Sequence, residues 1–292
     1  MRIKETVIYN LIKKIVLVDF SNFLISLKRD NELNREIYKV NRFYKISFCT
    51  VCMGRTHHLA KTYLKNIEDN KDYPNIEFVL LNYNSNDNMD GWVRQNLYEY
   101  IESGIVKYYK TFEPSVFHAS KAKNLAHRIA SGDVLVNLDA DNFTGRDNAF
   151  YLNHLYVNSP SKILVHFSSY NWKFYDTIGR IAIKKEDFLA LNGYREDFGP
   201  MKMQDIDLLK RCKLANIKTV RVELINFLRT IKHDDKDRKI NIQSNLRSIE
   251  LQSNNQKLMN FGLENGISKA NPDGFNNFKV FKNFERELIE LD

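Results

Sequence analysis

Gly132-Asp133-Val134-Leu135-Val136-Asn137-Leu138-Asp139-Ala140-Asp141-Asn142 is the stretch from which the fold can be read. It is a short apolar run that ends on two carboxylates with one residue between them. Residues i and i+2 of a strand project to the same side, so Asp139 and Asp141 can serve one site at the strand's carboxyl end. In open α/β sheets that edge is where ligands bind. Two hard oxygen donors there suit Mg²⁺ or Mn²⁺ on a diphosphate, but the same pair can also do no more than end a strand and open a turn.

Strand and helix patterns alternate on the amino-terminal side of this stretch. Ile46 to Val51 reads as a strand. Thr56 to Asn70 reads as a helix with Leu59, Tyr63, Leu64 and Ile67 on one face. Ile76 to Leu81 is a second strand, followed by the polar turn Asn82 to Asp87. A helix over Trp92 to Ser103 is stopped by Gly104, and Ile105 to Tyr109 is a short strand. A helix over Ser120 to Ala130 leads into the Asp-bearing strand. Such repeated strand–helix–strand units predict a parallel sheet with right-handed crossovers. The polar strand ends then converge on one edge and bring Thr50, Asn82, Asn84, Asp139 and Asp141 within reach of one nucleotide. The chain lacks a Gly-x-Gly-x-x-Gly turn and a Gly-rich Lys loop, so phosphate charge has to be met by a metal and basic side chains.

The carboxyl-terminal half is less regular. Ile163 to Phe167, Gly179 to Ile183, Thr219 to Leu224 and Phe227 to Ile231 read as strands. Glu186 to Leu191 and Asp205 to Ala215 read as helices. A further helix is expected around Ile242 to Phe261, followed by a mobile polar tail.

The chain has 292 residues, 43% of them hydrophobic, enough to bury one large α/β core. A net charge of +8 permits a polyanion, a nucleotide diphosphate or an anionic membrane surface as partner. No RNA-recognition or zinc-finger signature points to nucleic acid. Three cysteines, Cys49, Cys52 and Cys212, fit a reducing cytosol better than a disulfide framework. No apolar run is long enough to span a bilayer. Ile3, Val7, Ile8, Leu11, Ile12 and Ile15, with Lys4, Lys13 and Lys14 among them, form a pattern that suits either a packed helix or strand at the domain edge or a peripheral position on the inner face of the membrane.

Four further segments carry polar chemistry. Arg55, at a strand-to-helix junction, can meet a phosphate or be a solvated first-turn residue. Lys121 and Lys123 open the helix before the Asp strand, where they form either a charged helix face or a phosphate contact. The loop Asn192 to Asp207 ends in an acidic helix start; a carboxylate there can favour the helix terminus or take a proton from a hydroxyl. His233 follows a strand pattern, and a neutral imidazole is a ligand for Mn²⁺-like metals.

In order and spacing these features resemble the GT-A nucleotide-sugar glycosyltransferases, most closely family 2 and the β-1,4-galactosyltransferase group, over roughly residues 45 to 240. The resemblance implies a GT-A (Rossmann-like) α/β fold, a mainly parallel sheet flanked by helices. On this resemblance, residues 1–44 are expected as an amino-terminal extension, 45–240 as the catalytic domain and 241–292 as a polar, helical extension. It implies Asp141 as metal ligand, Asp139 facing both metal and nucleotide-sugar, and His233 completing the metal site. Thr50, Arg55, Asn82, Asn84, Lys121 and Lys123 would hold the donor. Asp205, in Gln204-Asp205 where the family has Glu-Asp, would be the catalytic base. The implied reaction is metal-dependent, inverting transfer from a UDP-sugar to a glycan or lipid-linked acceptor. The family's Trp-Gly-Gly-Glu-Asp loop reads Met201-Lys202-Met203-Gln204-Asp205 here, so its aromatic acceptor platform is missing. The alternatives are a sugar-phosphate nucleotidyltransferase, a retaining transferase and a non-catalytic carbohydrate- or membrane-binding module.

Overall fold

The computed structural model describes residues 36–168, 177–232, 242, 248–284, 288–289 and 291. His233 and the segment Ile3 to Ile15 therefore lie outside the described residues. The chain divides into two compact units, Met1–Asn41 and Arg42–Asp292. The second contains the sheet and the site.

Its strands are β1 (Ile46–Cys52), β2 (Ile76–Tyr83), β3 (Val106–Thr111), β4 (Val134–Asn137), β5 (Ile163–Phe167), β6 (Ile181–Lys184), β7 (Lys218–Val222), β8 (Val280–Lys282) and β9 (Leu288–Ile289). They form one sheet in the order β7-β5-β6-β4-β1-β2-β3-β8-β9. The centre, β3-β2-β1-β4, is parallel. Its strands are buried runs such as ISFCTVC, as expected where helices cover both faces. The principal helices are α1 (Thr56–Asn70), α2 (Met89–Glu102), α3 (Ala119–Ile129), α4 (Asn148–Val157), α5 (Lys185–Ala190), α6 (Gln204–Leu214) and α7 (Ser248–Glu264).

Strand β6 runs antiparallel to β4 and to β5. It therefore begins beside the end of β4, and Asn137 Nδ2 donates to Gly179 O at 2.7 Å. The expected strand over Phe227 to Ile231 is instead a single 3₁₀ turn, Ile225–Phe227, followed by an isolated bridge between Thr230 and Asn142. Its backbone pairs with the loop after the Asp pair: Phe143 N–H donates to Arg229 O at 3.0 Å and Ile231 N–H to Asp141 O at 2.8 Å. The carboxyl-terminal residues, expected as a polar tail, place β8 antiparallel on β3 and β9 on β8.

Cys49, Cys52 and Cys212 are buried free thiols. Burial pushes the Cys52 and Cys212 thiols up to about 12, so these thiols are inert at neutral pH. No helix among the described residues is long and apolar enough to cross a membrane.

His127, on α3, is fully buried and stacks on Phe188 with ring centroids 4.9 Å apart. Burial pushes it down to about 3. Folding therefore favours neutral imidazole, and this contribution is complete above the unfolded value near 6.5. It is lost as pH falls from there toward 3, at up to about 1.4 kcal/mol per pH unit. Urea melts between pH 7 and 4 are expected to show this slope, and His127→Gln, which does not titrate, is expected to flatten it.

Candidate active site

The site is assembled at the carboxyl ends of β1 and β4. The turn after β1 brings Arg55 to the first turn of α1. Arg55 supplies no side-chain cap to that helix. Asp87, from the turn after β2, does so instead: its carboxylate accepts from Thr56 N–H at 2.9 Å and Thr56 Oγ1 at 2.8 Å. Ser85 Oγ accepts from Gly54 N–H at 2.6 Å. The polar turn 82–87 thus fixes the Arg55 turn, which leaves the Arg55 guanidinium to reach inward.

Asp139 and Asp141 follow β4 but have different surroundings. Asp141 is nearly covered. It accepts from Arg55 Nη2 at 3.1 Å and from Asn142 Nδ2 at 2.7 Å. Asn142 is held in turn by Arg180 Nη2 at 2.8 Å. Arg180 is fully buried, which lowers it to about 10, and the charges of Asp139 and Asp141 oppose that fall. It is a buried cation behind the acidic pair. Asp139 has a side chain 40% exposed, and it accepts from Asn137 Nδ2 at 3.1 Å. Its carboxylate is the one that opens to the cleft.

Asp205 lies in the first turn of α6. Lys123, from α3, donates to Asp205 Oδ1 at 2.8 Å and lies 3.8 Å from Asp139 Oδ1. Gly179, in the turn just before β6, completes the junction. A Cβ there would fall 2.8 Å from Asp139 Oδ2 and 3.3 Å from Asp205 Oδ2. Only glycine leaves the space between the two carboxylates open.

These groups line one cleft of about 300 Å³, at the lower end of the size range of small-ligand pockets. Arg55, Lys123, Asp139, Asp141 and Asp205 all border it. Four other residues named from sequence do not. Thr50 is buried within β1, with no hydrogen-bond partner for its hydroxyl among the described residues. Asn82 is buried and bound to Asp90 and Tyr108 at 3.1 and 3.0 Å. Asn84 donates to Pro114 O at 2.8 Å. Lys121, two residues before Lys123 on α3, is not part of the cleft lining.

Sequence reasoning did not single out Gly179, Arg180 or Asn255. Asn255, on α7, is buried and receives Gly199 N–H at 2.8 Å. It donates to Met201 O at 2.8 Å and Lys202 O at 2.9 Å. These bonds hold the loop before α6, in which Lys202 and Met203 adopt φ of +77° and +70°. Two consecutive non-glycine residues in this region cost roughly 1–3 kcal/mol each, a strain characteristic of binding loops. The helical period of α7 was legible, but its contact with a loop some fifty residues earlier leaves no local pattern.

Among the described residues, no three His, Cys, Asp or Glu side chains gather as a metal cage. Asp139 and Asp141 alone fit the other mode of binding, in which one or two carboxylates hold Mg²⁺ or Mn²⁺ together with substrate phosphates. Arg55 Nε is buried without a hydrogen-bond partner among the described residues, a spare donor at the same wall.

The fold is that of the GT-A nucleotide-sugar glycosyltransferases. Among solved structures the chain is similar to the mannosyltransferase PcManGT from Pyrobaculum calidifontis, in complex with GDP-Man and Mn²⁺, at a TM-score of 0.52 and 19% identity, over 71% of this chain and 65% of that one. It is also similar to S. aureus TarS 1–349, at a TM-score of 0.52 and 12% identity, over 71% of this chain and 68% of that one. No family profile and no curated protein sequence matches the chain.

Proposed function

We propose that the protein is a metal-dependent, inverting glycosyltransferase that moves a sugar from a UDP-sugar to a hydroxyl of a glycan or lipid-linked acceptor. The observation that carries this reading is the convergence of Asp139, Asp141, Lys123 and Asp205 on one cleft at the carboxyl edge of a GT-A sheet. PcManGT, with the same fold, is seen with a nucleotide-sugar and Mn²⁺.

Asp139 and Asp141 would hold Mn²⁺ or Mg²⁺, with His233 as a third ligand. The metal, when bound, supplies Lewis-acid neutralisation of the departing diphosphate. Arg55 offers its spare Nε–H to the same phosphates. Asp205 sits in a helix first turn, where carboxylates are favoured as anions. There it accepts the proton of the acceptor hydroxyl as that oxygen bonds to the anomeric carbon. The bond from the anomeric carbon to the diphosphate oxygen breaks, and its electron pair leaves with the nucleotide. Attack from the face opposite the leaving group inverts the anomeric configuration. Lys123 holds Asp205 in place by charge-assisted hydrogen bonding.

The test is incubation of the full chain and Mn²⁺ with UDP-sugars and GDP-sugars, with a read-out of released nucleoside diphosphate. UDP release with one sugar, and a product of opposite anomeric configuration by NMR, is expected. Retention of configuration would contradict the inverting step. Pyrophosphate release from a nucleoside triphosphate and a sugar 1-phosphate would assign nucleotidyl transfer instead.

A further inference from the structure

Three cations border the cleft among the described residues: Arg55, Lys123 and Lys202. Arg55 is held by Asp141, and Lys123 by Asp205 and Asp139. The Lys202 ammonium has no carboxylate or hydrogen-bond partner among the described residues. Its backbone is held in the left-handed region by Asn255, which binds the carbonyls of both Met201 and Lys202. The loop is thus strained, and its half-buried Lys202 has no charge partner among the described residues.

The neighbouring Gln204 adds an independent observation. It is 8% exposed, and its Oε1 has no hydrogen-bond partner among the described residues, while its Nε2 donates to Asp205 Oδ2 at 3.2 Å. A buried carbonyl oxygen without a donor is costly, so a bound group that donates to it is favoured. Within four residues, then, the loop and helix start present a positive charge, an unsatisfied acceptor and a carboxylate.

We infer that the acceptor is a polyhydroxy compound bearing an acidic group, a phosphate or carboxylate, close to the reacting hydroxyl. One hydroxyl donates to Gln204 Oε1, the reacting hydroxyl faces Asp205, and the acidic group pairs with Lys202. This deepens the glycosyl-transfer reading and rests on it. A carboxylate in place of the neutral Gln204 amide would repel such a ligand; Gln204 does not.

The full chain loaded with UDP and Mn²⁺ is titrated calorimetrically with glucose, glucose 6-phosphate and glucuronate. Dioctanoyl phosphatidylglycerol is a further arm, to separate a lipid-borne phosphate from a soluble one. At least one acidic ligand is expected to bind about tenfold tighter than glucose, the scale of one charge-assisted contact. Lys202→Gln is expected to erase that preference and leave UDP affinity unchanged. Lys202→Arg keeps the charge and is expected to retain most of the preference, which separates lost charge from a disturbed loop. Equal binding of glucose and the acidic ligands, survival of the preference in Lys202→Gln, or a loss that falls on UDP would overturn the inference. Failure of the wild type to bind UDP with Mn²⁺ would overturn the glycosyl-transfer reading, and this inference with it.

Discussion

Asp205→Asn is expected to lower sugar transfer by about 10²–10⁴-fold, the range for loss of a positioned general base. Asn keeps the size of the side chain and can still accept a hydrogen bond from Lys123, which lies 2.8 Å from Asp205 Oδ1. It cannot take the acceptor's proton. The effect should fall on kcat, with UDP affinity changed by no more than about twofold, because the lost interaction belongs to the transition state. Transfer at the wild-type rate would mean that another group is the base. A loss of UDP affinity as large as the loss of rate would mean that Asp205 serves the donor.

Asp139→Asn is expected to weaken Mn²⁺-dependent UDP binding by at least about 10–100-fold, because a direct ligand should cost no less than the outer-shell partners of metal sites. Asp139 is a cleaner target than Asp141. Its side chain is 40% exposed, and its removal leaves Lys123 paired with Asp205. Asp141 is buried and holds both Arg55 and Asn142. Its loss would strand a cation and unsettle the loop, mixing stability with binding. The Asp139 variant should therefore melt within a few degrees of the wild type while losing the metal-dependent part of nucleotide affinity.

The amphipathic and strongly apolar elements were legible in the sequence. Helix α1 falls on Thr56–Asn70 and strand β5 on Ile163–Phe167, as the spacing of their apolar residues predicts. Helix α4 was not legible. Phe150, Tyr151, Leu152 and Asn153 are all buried, so its residues show no helical alternation of polar and apolar faces. Strand β8 is three residues long and exists because β3 offers an open edge, a tertiary cause with no local signature. Phe227 to Ile231 reads as a strand, yet its backbone hydrogen bonds go to Asp141 and the loop after it rather than to the sheet.

The site divides in the same way. The acidic pair was legible because it is a matter of spacing, Asp139 two residues before Asp141, and both side chains border the cleft. The polar residues Asn82 and Asn84 sit at strand ends as expected, but their amides are used by Asp90, Tyr108 and Pro114. A strand-end position does not reveal whether a side chain's hydrogen bonds are already spent inside the fold. Gly179 leaves no motif, because its role arises only where β6 starts beside β4.

The decisive measurement is titration of the full chain with UDP by calorimetry, in Mn²⁺ and again in excess chelator. If the cleft holds a nucleoside diphosphate through a metal on Asp139 and Asp141, UDP binds in Mn²⁺ and its affinity falls by at least about tenfold in chelator. Equal affinity under both conditions, or no binding under either, would mean that no metal on Asp139 and Asp141 holds a uridine diphosphate in this cleft.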